Sequence, residues 1–113
     1  MAIHLTVTPV EKGTLKVTAV FTDEDENSVA PKTLTWTLTD SSGTVINERE
    51  DVAVSSPSAT QVIMLTGDDL QIPTGGNTAR HFYLEGTYDS DNGFDLNIRA
   101  LAIFTIEDFV VVT

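Results

Sequence analysis

The side chains of this chain that could do chemistry are carboxylates, and two short stretches concentrate them. One is "DEDEN" at residues 23–27. The other is "TYDSDNGFDL" at residues 87–96, where Asp89, Asp91, Asn92 and Asp95 surround Gly93. Calcium takes about six to eight hard oxygen ligands. If the two stretches meet, seven carboxylates crowd one pole, and Asp23, Asp25, Asp89, Asp91 and Asp95 are the expected ligands of a calcium ion. The EF-hand pattern itself is not met, because glycine comes one residue early and no closing glutamate follows. Two other uses fit the same residues: a pair of solvated, self-repelling loops, or a tip that docks on a basic protein surface. The sequence leaves all three open.

Other chemistries find less to work with. His4 and His81 stand far apart and there is no cysteine, so no zinc spacing exists. No G-x-S-x-G elbow is present, and Gly75–Gly76 lacks the lysine and helix start of a phosphate loop. Carboxylate pairs of the glycosidase kind can be drawn freely in a chain this acidic, so they carry no weight. No enzymatic activity and no cofactor other than calcium are expected. The row Thr33, Thr35, Thr37, Thr39 forms a hydroxyl ladder that could hold carbohydrate with Tyr83 as a stacking ring, or simply be the polar face of a strand.

The elements that must position these residues are strands. Apolar residues recur with period two, and no window supports a long amphipathic helix. Strands are expected at residues 4–8, with Pro9 at an edge, and at 14–22, where Leu15, Val17, Ala19 and Phe21 face one way. The cleanest is 33–40, where Leu34, Trp36 and Leu38 alternate with threonines before the turn "DSSG". Residues 45–49 and 52–55 read as short strands, 60–65 as a longer one, and 68–70 as a single helical turn. Residues 80–89 place Phe82, Leu84 and Tyr88 on one face, with Gly86 in their row; Tyr88 is a candidate tyrosine corner. Residues 96–107 form the longest strand, with Ile98, Ala100, Ala102, Phe104 and Ile106 inward. About seven short strands separated by turns make an all-β, two-sheet β-sandwich, and residues 1–113 a single domain.

Charge narrows the partners. Seventeen Asp and Glu face six Lys and Arg, for a formal net charge of −11. That surface repels phosphate backbones and anionic lipid, so neither nucleic acid nor membrane is an expected partner. No apolar run approaches the ~20 residues of a span. The N-terminal "MAIHLTVTPVEKG" shows no secretory pattern, so the chain reads as a complete small gene product. An absence of cysteine suits a reducing compartment.

The outward row of the last strand is less ordinary. Arg99, Leu101, Ile103, Thr105 and Glu107 occupy it, and "FVVV" (Phe109, Val110, Val111, Val112) follows. Either another part of the fold covers Leu101 and Ile103, or they belong to an interface. In the second case Arg99, Leu101, Ile103, Phe109, Val110, Val111 and Val112 are its expected residues, in a homo-oligomer or against another protein.

At "TLTWTLTDSSGTVI" (residues 33–46) the chain resembles bacterial and phage immunoglobulin-like domains, which often place a tryptophan strand directly before a D-x-x-G turn. At "LEGTYDSDNGFDLNIRALAIFTIEDFV" (residues 84–110) it is similar to small immunoglobulin-like structural proteins of tailed bacteriophages and prophages. The resemblance implies an immunoglobulin-like sandwich and a virion component: a head decoration, neck or tail protein. It would be found in the virion, and in the host cytoplasm during assembly, with other virion proteins or itself as partners. A host-facing adhesive or carbohydrate-binding module, using the threonine ladder and Tyr83, is the alternative.

Overall fold

The structure, a computed structural model, describes residues 2–5, 11–72 and 78–107. Seven strands form two antiparallel sheets. They are β1 (Ala2–Leu5), β2 (Thr14–Val20), β3 (Thr33–Asp40), β4 (Val52–Ala53), β5 (Thr60–Thr66), β6 (Ala79–Ser90) and β7 (Gly93–Thr105). The order is β1-β2-β5 in one sheet and β4-β3-β6-β7 in the other. The protein is thus the expected all-β, two-sheet β-sandwich.

Alternation decides which side chains meet between the sheets. Leu15, Val17, Ala19 and Phe21 along β2, with Ile63 and Leu65 of β5, face Leu34, Trp36 and Leu38 of β3. Phe82, Leu84 and Tyr88 of β6 join them, as do Ile98, Phe104 and Ile106 along β7. Each fully buried Leu or Phe contributes about 1.5–3 kcal/mol, so the cohesion rests on this one cluster, without disulfides. Trp36 stacks on Phe82 with ring centroids 5.4 Å apart. The β3–β6 register runs from Asp40↔Arg80 to Thr33↔Thr87, and β6–β7 runs from Ala79↔Thr105 to Ser90↔Gly93 with a register shift between Tyr88 and Ser90. The hairpin end therefore projects beyond the start of β3.

Several expected elements change. Residues 45–49 do not form a strand: a single bridge joins Val45 to Thr39, and the chain then turns at Asn47 and Glu48, both at positive φ. That turn lets Leu38 N donate to Arg49 O, so the loop clips onto β3 without a ladder. The strand expected at 52–55 shortens to Val52–Ala53. The helical turn expected at 68–70 is a 3-10 turn, Gly67–Leu70. The first strand begins earlier than expected and its described part ends at Leu5. Thr6–Thr8, Pro9 and the 109–112 tail lie outside the described residues.

Candidate functional site

The acidic pole is held together by one carboxylate acting as an acceptor. Glu24, in the loop after β2, takes a hydrogen bond from the Tyr88 hydroxyl at 2.6 Å on Oε1. On Oε2 it takes one from Ser90 Oγ and one from Asn92 Nδ2, each at 3.1 Å. The two acidic stretches do meet, and the loop is pinned to the hairpin tip. These donors, Tyr88 foremost, hold the Glu24 carboxyl at about 2, far below its ordinary range, and the same bond pushes the Tyr88 phenol up. Tyr88 is buried as a core residue, yet its hydroxyl reaches a side chain, so it is not the main-chain-bonded tyrosine corner its position suggested.

Three of the five expected calcium ligands, Asp23, Asp89 and Asp95, hold internal partners. Asp23 Oδ1 accepts the main-chain N–H groups of Asp25 and Asn27 at 2.9 Å, closing its own loop. Lys32 Nζ lies 2.6 Å from Asp95 Oδ1 and 3.4 Å from Asp89 Oδ1, and its pKa rises, chiefly through the bond to Asp95. Asp89 Oδ1 also accepts the N–H of Asp95, which sits at positive φ. Asp25 and Asp91 are exposed. Among the described residues, no three carboxylate or imidazole side chains stand where they could hold one metal ion. The sequence reading passed over Glu24 and Lys32. Lys32 was the one available signal, as the first cation after the acidic run.

At the other end of β6, two buried charges tie the sheets together. Asp69, in the 3-10 turn after β5, is 1% exposed. It accepts Arg49 Nε and Asn47 Nδ2, each at 2.8 Å, and Thr66 N at 3.1 Å. Burial alone would raise its pKa, but these bonds and the Arg49 charge outweigh it and the net direction is down. Arg49 also lies over the Trp36 ring at 5.8 Å. Arg80, fully buried opposite Asp40, donates to Ala79 O and, across to the neighbouring segment, to Gln71 O at 2.7 Å. Burial lowers the Arg80 pKa against the pull of Asp40. Both groups are structural. Neither was singled out, although Arg80 shares its parity with Phe82, which places it in the inward row.

The outer face of the four-stranded sheet is the other distinctive surface. Leu101 is 50% and Ile103 62% exposed, so no described part of the fold covers them. The register sets Leu101 beside Tyr83 and Ile103 beside His81, with Thr37 and Thr39 next across β3. His81 Nδ1 and the Tyr83 hydroxyl are 3.2 Å apart. A shallow, open hollow lies between Tyr83, Glu85, Arg99 and Leu101. Arg99 and Glu85 approach to 3.9 Å at the surface, a contact worth at most ~1 kcal/mol. All four ladder hydroxyls already have internal partners. Thr33 bonds Thr87 at 2.9 Å, Thr35 reaches Glu85 O at 3.5 Å, Thr37 accepts Asp51 N, and Thr39 donates to Asp40 O.

No protein-family model matches the chain, and neither curated proteins nor solved structures give a significant match to it.

Proposed function

We propose that this protein is a non-enzymatic assembly subunit that meets its neighbour through the outer face of β6 and β7. The observation that carries this is the exposure of Leu101 and Ile103 side by side, with Tyr83 and His81 completing a continuous patch. Burying such a patch is favourable at about 25 cal/mol per Å² of apolar surface. Aromatic and aliphatic residues rimmed by Arg99 and Glu85 have the composition of an interface core and its edge. The alternative, a carbohydrate-binding face, has less to draw on, because each threonine hydroxyl of the ladder already has one internal partner.

The proposed setting is the virion of a tailed phage or prophage, with other virion proteins or further copies of this chain as partners. That setting rests on the resemblance at residues 33–46 and 84–110. Support for an immunoglobulin-like topology comes from β3, β6 and β7 being neighbours, as strands C, F and G are in such a sandwich, although β4 pairs with β3 and not with β5. The proposed mechanism calls on no metal; Lys32 and the Tyr88, Ser90 and Asn92 donors engage Asp89, Asp95 and Glu24, while Asp25 and Asp91 stay exposed.

Sedimentation and light scattering of the wild-type chain and of the double variant Leu101→Asp/Ile103→Asp test the proposal. The wild type associates as concentration rises, and the variant stays monomeric with its melting temperature unchanged. Identical behaviour of the two would remove this face from the mechanism.

A further inference from the structure

The chain contains five asparagines, at 27, 47, 77, 92 and 97, and only Asn92 is followed by glycine. We propose that Asn92–Gly93 is a self-modifying site, whose deamidation through a succinimide loosens the 23–27 loop from the hairpin tip. The chemistry needs a main-chain nitrogen that can approach the preceding side-chain amide. Glycine has no side chain to shield that nitrogen, and a Cβ at this position would crowd the Leu96 side chain at 3.3 Å. Asn92 itself is exposed.

The turn is fastened by side chains and not by a further strand. Pairing of β3 with β6 stops at Thr33↔Thr87, so the residues from Tyr88 onward lack a third strand, and the register slips before the Ser90↔Gly93 pair. Beyond the hairpin ladder, the tip is fastened by Lys32 on Asp89 and Asp95 and by the Glu24 cluster. Asn92 belongs to that cluster twice, donating its side-chain amide to Glu24 Oε2 and its main-chain N–H to Ser90 Oγ.

In the reaction the Gly93 nitrogen gives up its proton and attacks Asn92 Cγ. The new C–N bond closes a five-membered imide, the Cγ–Nδ2 bond breaks, and ammonia leaves with the proton. Water then opens the imide at either carbonyl, giving aspartate or isoaspartate. No oxidant or reductant takes part. Either product removes a donor from Glu24 and puts a carboxylate in its place, facing an anion across the former 3.1 Å hydrogen bond. Isoaspartate also adds a methylene to the main chain inside a two-residue turn, where the Ser90↔Gly93 pair cannot be kept.

The test ages the full-length chain in mildly alkaline buffer and maps deamidation by peptide mass spectrometry with isoaspartyl methyltransferase labelling. Asn92 is expected to react roughly tenfold or more faster than Asn27, Asn47 and Asn97, a difference of one decade in rate for each ~1.4 kcal/mol of barrier. Asn92→Gln should abolish the dominant product. Hydrogen exchange then reads the consequence: the 23–27 amides exchange faster in the aged protein and in Asn92→Asp, while Asn92→Gln keeps them protected. Equal rates at all four asparagines would overturn the proposal. So would an aged protein and an Asn92→Asp variant whose loop exchanges as slowly as the fresh wild type.

Discussion

Gly86→Ala is the sharpest probe of how the two central strands meet. A Cβ built on Gly86 would stand 2.1 Å from the Thr33 carbonyl oxygen, 3.0 Å from its carbon and 3.2 Å from Leu34 Cα. All three are main-chain atoms, so no rotamer change relieves the clash. To reach the 3.0 Å floor of real Cβ contacts, β3 must retreat from β6 by about 0.9 Å. Hydrogen bonds near 2.9 Å then pass their useful range, and Leu34 and Trp36 part from Leu84 and Phe82. Overpacking costs about 1–3 kcal/mol. Two weakened ladder bonds add about 0.5–1.5 kcal/mol each, and the stiffer unfolded chain returns about 0.4–1 kcal/mol. The net loss is about 1–6 kcal/mol, centred on ~3 kcal/mol. For a domain of this size that lowers the melting temperature by roughly 10 °C. Trp36, the single tryptophan, is 7% exposed and stacked on Phe82, so its fluorescence in a urea titration reports the transition. Gly43→Ala is the control: its Cβ meets nothing within 4 Å, and φ of +89° costs only about 1–2 kcal/mol. If Gly86→Ala melts within a degree or two of wild type, the close approach of β3 to β6 does not constrain this fold.

Asp69→Asn should lose about 1–3 kcal/mol in chemical denaturation, since it weakens two charge-assisted bonds at a buried acceptor; an unchanged midpoint would deny the turn its role as a link between sheets. Acid should act in a defined window. Glu24 has a depressed folded pKa, so its stabilisation is complete above about 4.5 and fades as pH falls toward about 2, with Asp69 contributing in the same direction. Tyr88→Phe should flatten that acid dependence in melts between those limits; an identical pH profile would detach Glu24 from it. Melts in EDTA and in millimolar calcium should coincide, whereas saturation of a real site at 100 times its dissociation constant would add about 2.7 kcal/mol.

The core was readable because alternation in β2, β3, β6 and β7 is nearly unbroken, so Leu15, Trp36, Phe82 and Ile98 reveal their face by parity alone. Where the chain leaves strand geometry, parity ends and the reading ends with it. Val45 and Ile46 look like a strand start, yet Asn47 and Glu48 turn left-handed without a glycine to mark them. In the 23–27 loop the sequence could rank aspartates as ligands, but main-chain direction decided that Glu24, not Asp23 or Asp25, reaches the hairpin. Arg80 and Asp69 were passed over because charges are assumed outside. The inward row of β6 carried the hint for Arg80, and nothing local carried one for Asp69. The pattern set Leu101 and Ile103 in the outward row but left open whether another part of the fold covers them, and their exposure came from the structure.

The distribution of cations has a colloidal consequence. Of six lysines and arginines, Lys32, Arg49 and Arg99 face carboxylates and Arg80 is spent on main-chain carbonyls. With all six cations counted, eleven negative charges remain in excess, so two copies approaching each other meet mainly repulsion. The apolar patch on β7 acts at contact, whereas that repulsion reaches about 30 Å in dilute salt and about 8 Å at physiological strength. On the proposed assembly reading, raising ionic strength shifts subunits from a dispersed pool toward contact through that patch.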